Sequence, residues 1–199
     1  MSSEHQPKPS LRERKKAKTR NSIQQNAMRL FQQQGYAETT IEQIAEASEI
    51  SQSTFFRYFP TKESVVFYDD YDPLLIHAFK KQPKELTSIQ AFRSSVKSGL
   101  VQIPEEEREA LQKRMQLVMS IPELRVASFN QLADTSQMIT ELIAERENRE
   151  SSDQDIVTLT GALMGAIVSS QYYCVQHPET DFIEALDRAL AFLEAGMPL

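Results

Sequence analysis

The chain has 199 residues, of which 40% are hydrophobic and 25% are charged, and its formal net charge is −6. This length allows one or two domains with a substantial core. The sequence contains no apolar run of about 18 residues and no apolar signal segment, so we expect neither a membrane span nor export. Because Cys174 is the single cysteine, an internal disulfide is excluded, and a reducing cytoplasm is the expected location.

Charge is divided unevenly along the sequence. Residues 1–65 hold ten Lys or Arg and seven Asp or Glu, a net charge of +3. Residues 66–199 hold twelve basic and twenty-one acidic side chains, a net charge of −9. A basic head before an acidic body is either a solubilising segment on an ordinary domain or a head that binds phosphates.

The basic head coincides with the first predicted helix. Residues 1–10 are polar and predict a disordered tail. The helix is predicted from Leu11 to Gln34, and Gly35 ends it. Cations crowd its first turns, where the helix dipole disfavours them, so the pattern predicts an anionic partner or else a frayed, solvated end. The residues assigned to phosphate contacts are Arg14, Lys15 and Lys18.

Two short helices with a tight break are predicted next, in the sequence TTIEQIAEASEISQSTFFRYFPTK. Thr40 lies three residues before Gln43, which is the spacing of a capping box at the start of the first. Ser51 caps the second, which is predicted from Gln52 to Phe59. This arrangement predicts a helix-turn-helix that binds double-stranded DNA.

The outer face of the second short helix carries amide, hydroxyl, aromatic and guanidinium groups, which suit base edges and phosphates. Residues assigned to base edges are Gln52, Ser53, Phe56 and Arg57. Residues assigned to phosphates are Thr40, Thr54, Tyr58 and Lys62.

The rest of the sequence predicts further helices and no strands, so the expected fold is all-α with about nine helices. The pair Asp72-Pro73 predicts either two successive helices or one kinked helix after Lys62. Capping-box patterns at Ser152-x-x-Asp155 and Asp181-x-x-Glu184 mark the starts of the last two helices. Later helices are predicted at Ser88–Ile103, Glu105–Ile121, Pro122–Asn148, Asp153–Gln176 and Phe182–Ala195.

Catalytic patterns are not evident. The three histidines are scattered, and neither a metal-ligand spacing nor a glycine-rich phosphate loop occurs. We therefore predict no enzyme, no metal and no cofactor.

The segment Ile23 to Phe67 resembles the N-terminal DNA-binding domain of the TetR family of repressors. The resemblance rests on AMRLFQQQGY, on TTIEQIA and on S-x-S-TFFRYFPTKE. It implies a DNA-binding domain over residues 11–70, an effector-binding and dimerisation domain over residues 71–199, and a homodimer on a pseudo-palindromic operator. Glu49 departs from the family, whose members often carry glycine in this turn. A positive φ at Glu49 costs up to about 1 kcal/mol.

The resemblance also implies that the last two helices pair with those of a second subunit. Their apolar stripes form that interface or, alternatively, only complete the core of one chain. The residues assigned to the dimer interface are Leu159, Leu163, Ile167, Leu186 and Leu190.

An effector pocket is implied among the middle helices, although apolar residues at helical spacing are also typical of plain core. The run YDDYDPLL after the first domain resembles a branch of the family with an acyl-CoA-like ligand domain. It implies a fatty acyl or acyl-CoA-type effector. The residues assigned to the pocket are Phe92, Val96, Met115, Met119, Phe129, Gln171 and Tyr172.

Two functions remain at this point. The first is a ligand-responsive DNA-binding regulator, a repressor released from its operator by a small and largely apolar effector. The second is an all-helical interaction or ligand-binding protein of the same fold that no longer reads DNA. The exposed polar face of the second short helix favours the first.

Overall fold

The computed structural model describes residues 10–68, 71–100 and 103–198. Over these residues it contains ten α-helices and no strand, which confirms the all-α prediction. The chain divides into two compact units, one ending at Tyr68 and the other beginning at Asp69. The predicted disordered tail lies outside the described residues apart from Ser10. Within the described ranges, none of the helices combines the length and apolar character needed to cross a bilayer.

The first unit consists of α1 (Leu11–Gln34), α2 (Ile41–Ala47), α3 (Gln52–Tyr58) and α4 (Lys62–Phe67). Ser10 opens α1 through a capping box with Glu13, and Gly35 ends it at φ 88°. The long helix packs against α2 and α4, while α2 packs against α3. Its inward face buries Ile23, Ala27 and Phe31.

The second unit consists of α5 (Asp72–Lys80), α6 (Ser88–Leu100), α7 (Glu105–Ser120), α8 (Pro122–Glu147), α9 (Gln154–Gln176) and α10 (Phe182–Glu194). Of the two alternatives at Asp72-Pro73, the described residues show separate helices. The backbone leaves the helical conformation at Tyr68, and a new helix starts at Asp72 with Pro73 in its first turn.

One predicted cap is displaced by a residue. The predicted start of α9 at Ser152 is wrong, because the side chain of Asp153 accepts the N–H of Asp155. Both residues have short polar side chains, so the sequence pattern alone did not separate them. At α10 the predicted cap is confirmed, since Asp181 accepts the N–H groups of Ile183 and Glu184.

A single apolar cluster forms the core of the second unit, with contributions from α5, α6, α8, α9 and α10. An ion pair fastens the edge of this core, because the Arg93 guanidinium on α6 lies 2.6 Å from the Asp187 carboxylate on α10. Hydrogen bonding from Arg93 lowers the pKa of Asp187 although partial burial opposes this. Asp187 is therefore ionised at neutral pH and holds α6 and α10 together.

Three of the leucines assigned to a dimer interface belong to this core. Leu163, Leu186 and Leu190 are at most 3% exposed within the single chain. Their assignment to an intersubunit surface was wrong, because apolar periodicity identifies the buried side of a helix but not the molecule that covers it. Leu159 and Ile167 are half-buried and pack against the same core.

Candidate nucleic-acid interface

The recognition helix of the candidate site is α3, and its start is fixed by Ser51. The Ser51 hydroxyl oxygen accepts the N–H of Thr54 at 3.2 Å and lies 2.9 Å from the Thr54 hydroxyl. Phe55 and Phe59 anchor the helix from below, with 0% and 2% of their surface exposed. The helix is seven residues long, so these anchors determine which side chains face outward.

The outward face of α3 presents the predicted base-reading residues together. Gln52, Ser53, Phe56 and Arg57 are exposed, while Thr54 and Tyr58 flank them as half-buried residues. Phe56 is 50% exposed although it is aromatic, and its ring lies edge-on to Phe55 at 5.6 Å. An exposed aromatic ring beside amide and guanidinium groups can contact a thymine methyl while its neighbours bind base edges.

The two longest polar side chains of this face are available for a ligand. Among the described residues, the side chains of Gln52 and Arg57 make no hydrogen bond or salt bridge within the chain. The Arg57 guanidinium lies 5.6 Å from the centre of the Tyr58 ring, which orients it without using its N–H groups.

A second cationic surface lies at the start of α1. The exposed cations Arg14, Lys15 and Lys18 precede Ile23, the first buried residue of α1 in the described part of the chain. Arg20 differs from them because its guanidinium stacks on the Tyr68 ring at 4.7 Å. The first two turns of α1 therefore carry positive charge toward solvent and do not pack into the domain.

The residues assigned to phosphates between α1 and α4 have different surroundings. Thr40 is exposed and caps α2, with its hydroxyl accepting the N–H of Gln43 at 3.2 Å. Lys62 is half-buried, and its ammonium donates to the carbonyl oxygens of Tyr36 and Thr39 at 2.8 Å and 3.0 Å. The sequence did not indicate these carbonyl partners, because they come from a turn more than twenty residues earlier.

The break between α2 and α3 is a left-handed helix end centred on Glu49. The N–H of Ile50 donates to the carbonyl of Ala45, and the N–H of Glu49 to that of Glu46, as in a Schellman motif. Glu49 has a φ of 55°, where glycine is the usual residue. The departure noted in the sequence thus lies at a strained position beside the recognition helix.

We expect Glu49→Gly to stabilise the protein by up to about 1 kcal/mol, because glycine adopts positive φ without a Cβ clash. The measurement is urea unfolding of the full chain followed by circular dichroism. Asn148→Gly is the matched control, since Asn148 also has a positive φ of 53° but asparagine tolerates it better. A gain at Asn148 equal to that at Glu49 would contradict this explanation.

The residues assigned to an effector pocket lie in unlike surroundings. Phe92 and Val96 are 1% exposed in the core of the second unit. Met115 is also buried, and Met119 and Gln171 are half-buried. Phe129 and Tyr172 lie on the surface of this unit, with 70% and 52% of their area exposed. The seven residues therefore do not form one lining in this conformation.

Two small cavities in the second unit have volumes of about 100 and 120 Å³. The first is lined by residues of α5 and α8, including Phe79 and Arg146. The second lies between α7 and the start of α10 and includes Arg108 and Phe182. Neither contains a predicted pocket residue, and both are below the several hundred Å³ typical of a ligand pocket.

Comparison with known protein families agrees with this division of the chain. Residues 23–68 match the family of bacterial regulatory proteins named after tetR. Residues 86–198 match the family described as the MftR C-terminal domain. The two matches together cover most of the chain.

Individual proteins also resemble it along most of its length. The HTH-type transcriptional regulator TcmR of Streptomyces glaucescens is 30% identical over 191 residues, covering 91% of this chain and 83% of TcmR. Thermus thermophilus FadR, a repressor solved with lauroyl-CoA, aligns over 90% of this chain and 95% of its own, with a TM-score of 0.54 and 23% identity. NalD of Pseudomonas aeruginosa, a secondary repressor of a multidrug efflux pump, aligns over 91% and 97%, with a TM-score of 0.59 and 20% identity. The two structural likenesses are evidence for the fold.

Proposed function

The chain belongs to the tetR family of bacterial regulatory proteins and is a DNA-binding transcriptional regulator, and we propose that it acts as a repressor released by a small apolar effector. The observation that carries the proposal is the outer face of α3, where Gln52, Phe56 and Arg57 are exposed together. The alternative, a protein of this fold that no longer reads DNA, gives no reason for an exposed phenylalanine between an amide and a guanidinium group.

In this proposal α3 enters the major groove and reads bases. Gln52, Ser53, Phe56 and Arg57 meet base edges, with Arg57 suited to a guanine. Thr40, Thr54 and Tyr58 contact phosphates beside the groove, and the cations of α1 add contacts that do not depend on sequence. The protein would act in the cytoplasm, where its DNA lies.

The operator is a pseudo-palindrome because the functional species is a homodimer, with recognition helices about 34–36 Å apart or at a related spacing. The outer side of α9 supports a subunit interface. Val157 and Tyr172 are each 52% exposed there, and on α10 Phe192 is 41% exposed. Between the first two lie Gly161 and Gly165, where an added Cβ would meet nothing within 4 Å in the single chain.

These glycines are costly for an isolated chain. Glycine inside a helix is about 1 kcal/mol less favourable than alanine, and neither position needs the space for its own fold. An exposed row of small residues flanked by apolar side chains allows two helices to approach closely. We therefore assign this α9 face, defined by Val157, Gly161, Gly165 and Tyr172, to the dimer interface.

The effector is proposed to be a fatty acyl or acyl-CoA-type molecule held by the helices of the second unit. This class rests on the YDDYDPLL resemblance, and the related fold of FadR with lauroyl-CoA supports it. Since Phe92 and Val96 fill the core, a ligand would favour a second conformation in which Met115 and Met119 repack around it. A ligand that binds this conformation better shifts the population away from the DNA-binding state.

The experiment is a gel-shift titration of the protein against DNA that flanks its own gene, with unrelated DNA of equal length as competitor. We expect a dissociation constant of about 10 nM or lower at physiological salt for one fragment and far weaker binding to the competitor. Lauroyl-CoA is expected to release the fragment, whereas free CoA should not. Equal affinity for both DNAs would refute operator recognition, and unchanged binding with lauroyl-CoA would refute the effector class alone.

A further inference from the structure

The first turn of α4 grips the turn that precedes α2. The Lys62 ammonium donates to the carbonyl oxygen of Tyr36 at 2.8 Å and to that of Thr39 at 3.0 Å. The same ammonium lies 4.1 Å from the centre of the Tyr36 ring, so a cation–π contact adds to the two hydrogen bonds. One lysine thus binds both the backbone and the side chain of this turn.

The neighbouring Glu63 holds the other end of Tyr36. The tyrosine hydroxyl donates to the Glu63 carboxylate at 2.9 Å. Partial burial raises the pKa of Glu63, but hydrogen bonds from its own backbone N–H and from Tyr36 outweigh this and lower it. The carboxylate therefore stays ionised at neutral pH and remains an acceptor for the hydroxyl.

The gripped turn leads directly into the reading elements. Thr39 is 1% exposed, and its hydroxyl donates to the carbonyl of Gly35 at 2.7 Å. The next residue, Thr40, caps α2, which packs against the recognition helix α3. A shift of this turn would therefore move Thr40 and α2 together, and with them the surface on which α3 rests.

We infer that Lys62 is a positioning residue that fixes the start of α2 relative to α4, and that it does not bind a DNA phosphate. The inference rests on the proposed operator binding. An ammonium has three N–H groups, and two of those of Lys62 already have carbonyl acceptors within the domain. Lys15 and Lys18 on α1 are exposed, and they are the lysines suited to phosphates.

The two roles of a lysine differ in their dependence on salt. Substituting a lysine that binds a phosphate reduces the slope of log affinity against log salt by about 0.9 and weakens all DNA equally. Substituting a positioning residue lowers affinity for the operator but leaves the number of released counterions unchanged. The discrimination between operator and unrelated DNA then falls.

The test uses the full chain and the fragment selected by gel shift, with Lys62→Met, which keeps the aliphatic stem and removes the donors. We expect operator affinity to fall about tenfold, because two carbonyls lose their charged partner. Affinity for unrelated DNA and the salt slope should stay at the wild-type values. Lys15→Met is the matched control, and it should reduce the slope and weaken both DNAs equally.

Two further variants separate positioning from general stability. Lys62→Arg keeps cationic donors and should restore operator affinity, while Tyr36→Phe removes the bond to Glu63 and should lower discrimination without changing the slope. If Lys62→Met is unfolded by circular dichroism, Tyr36→Phe decides the question by the same measurements. A lower slope in Lys62→Met, or lower stability with wild-type discrimination, overturns the inference. A wild-type protein that fails to discriminate refutes operator recognition instead.

Discussion

Replacing Arg57 by alanine is expected to lower operator affinity about 10- to 100-fold and to relax base preference at one position of each half-site. The guanidinium is exposed on the outer face of α3 and is oriented by Tyr58 at 5.6 Å. A bidentate contact between arginine and guanine contributes about 1–3 kcal/mol of discrimination against the wrong base. A dimer presents this residue twice, which places the expected loss toward the upper end of the range.

The measurement is fluorescence anisotropy with a set of operators that differ at one base pair in both half-sites. Wild-type protein should discriminate strongly at one position, and Arg57→Ala should treat the four bases there nearly alike. Lys18→Ala is the control, since an exposed cation of α1 should weaken all operators by the same factor and reduce the salt slope. If Arg57→Ala also weakens every operator equally, Arg57 contacts a phosphate and not a base.

Local chemistry allowed much of the first unit to be predicted. The Ser51 and Thr40 caps, the end of α1 at Gly35 and the inward faces of α1 and α3 each depend on residues within a few positions of one another. The strain at Glu49 was also predictable, because only a left-handed residue can close this kind of helix end. Such features need no knowledge of the tertiary packing.

Features that depend on distant partners could not be predicted in this way. The sequence shows that Lys62 is a lysine at a helix start, but the carbonyls of Tyr36 and Thr39 become its partners only when α4 packs near the turn. Likewise, Leu163 and Leu190 are apolar at helical spacing, and only the packed unit shows that α6 and α8 already help to cover that side of α9 and α10. Exposure in the folded unit is what separated Gly161 and Gly165 from these leucines.

Introducing a charge at Gly165 is expected to convert the dimer to monomers and to lower operator affinity by more than about 100-fold. Gly165 lies on the exposed side of α9, and a side chain there has open space in the single chain. Gly165→Glu should therefore leave the monomer folded, and its helix propensity is better than that of glycine. In a closely packed interface, the same carboxylate would face its symmetry-related copy, and burying two like charges is strongly unfavourable.

Sedimentation velocity and operator binding should be measured on Gly165→Glu and on Gln131→Glu, which adds the same charge at an exposed site of α8. We expect Gln131→Glu to remain a dimer with wild-type affinity. Leu163→Glu provides the contrast, because a charge in the core should unfold the second unit and lower its helix content. Gly165→Glu should instead keep wild-type helix content while it loses the dimer. A Gly165→Glu protein that sediments as a dimer would remove the α9 face from the interface, and the subunit contact would then have to be sought on another exposed surface of the second unit, such as Val126 and Phe129 on α8, which are each 70% exposed.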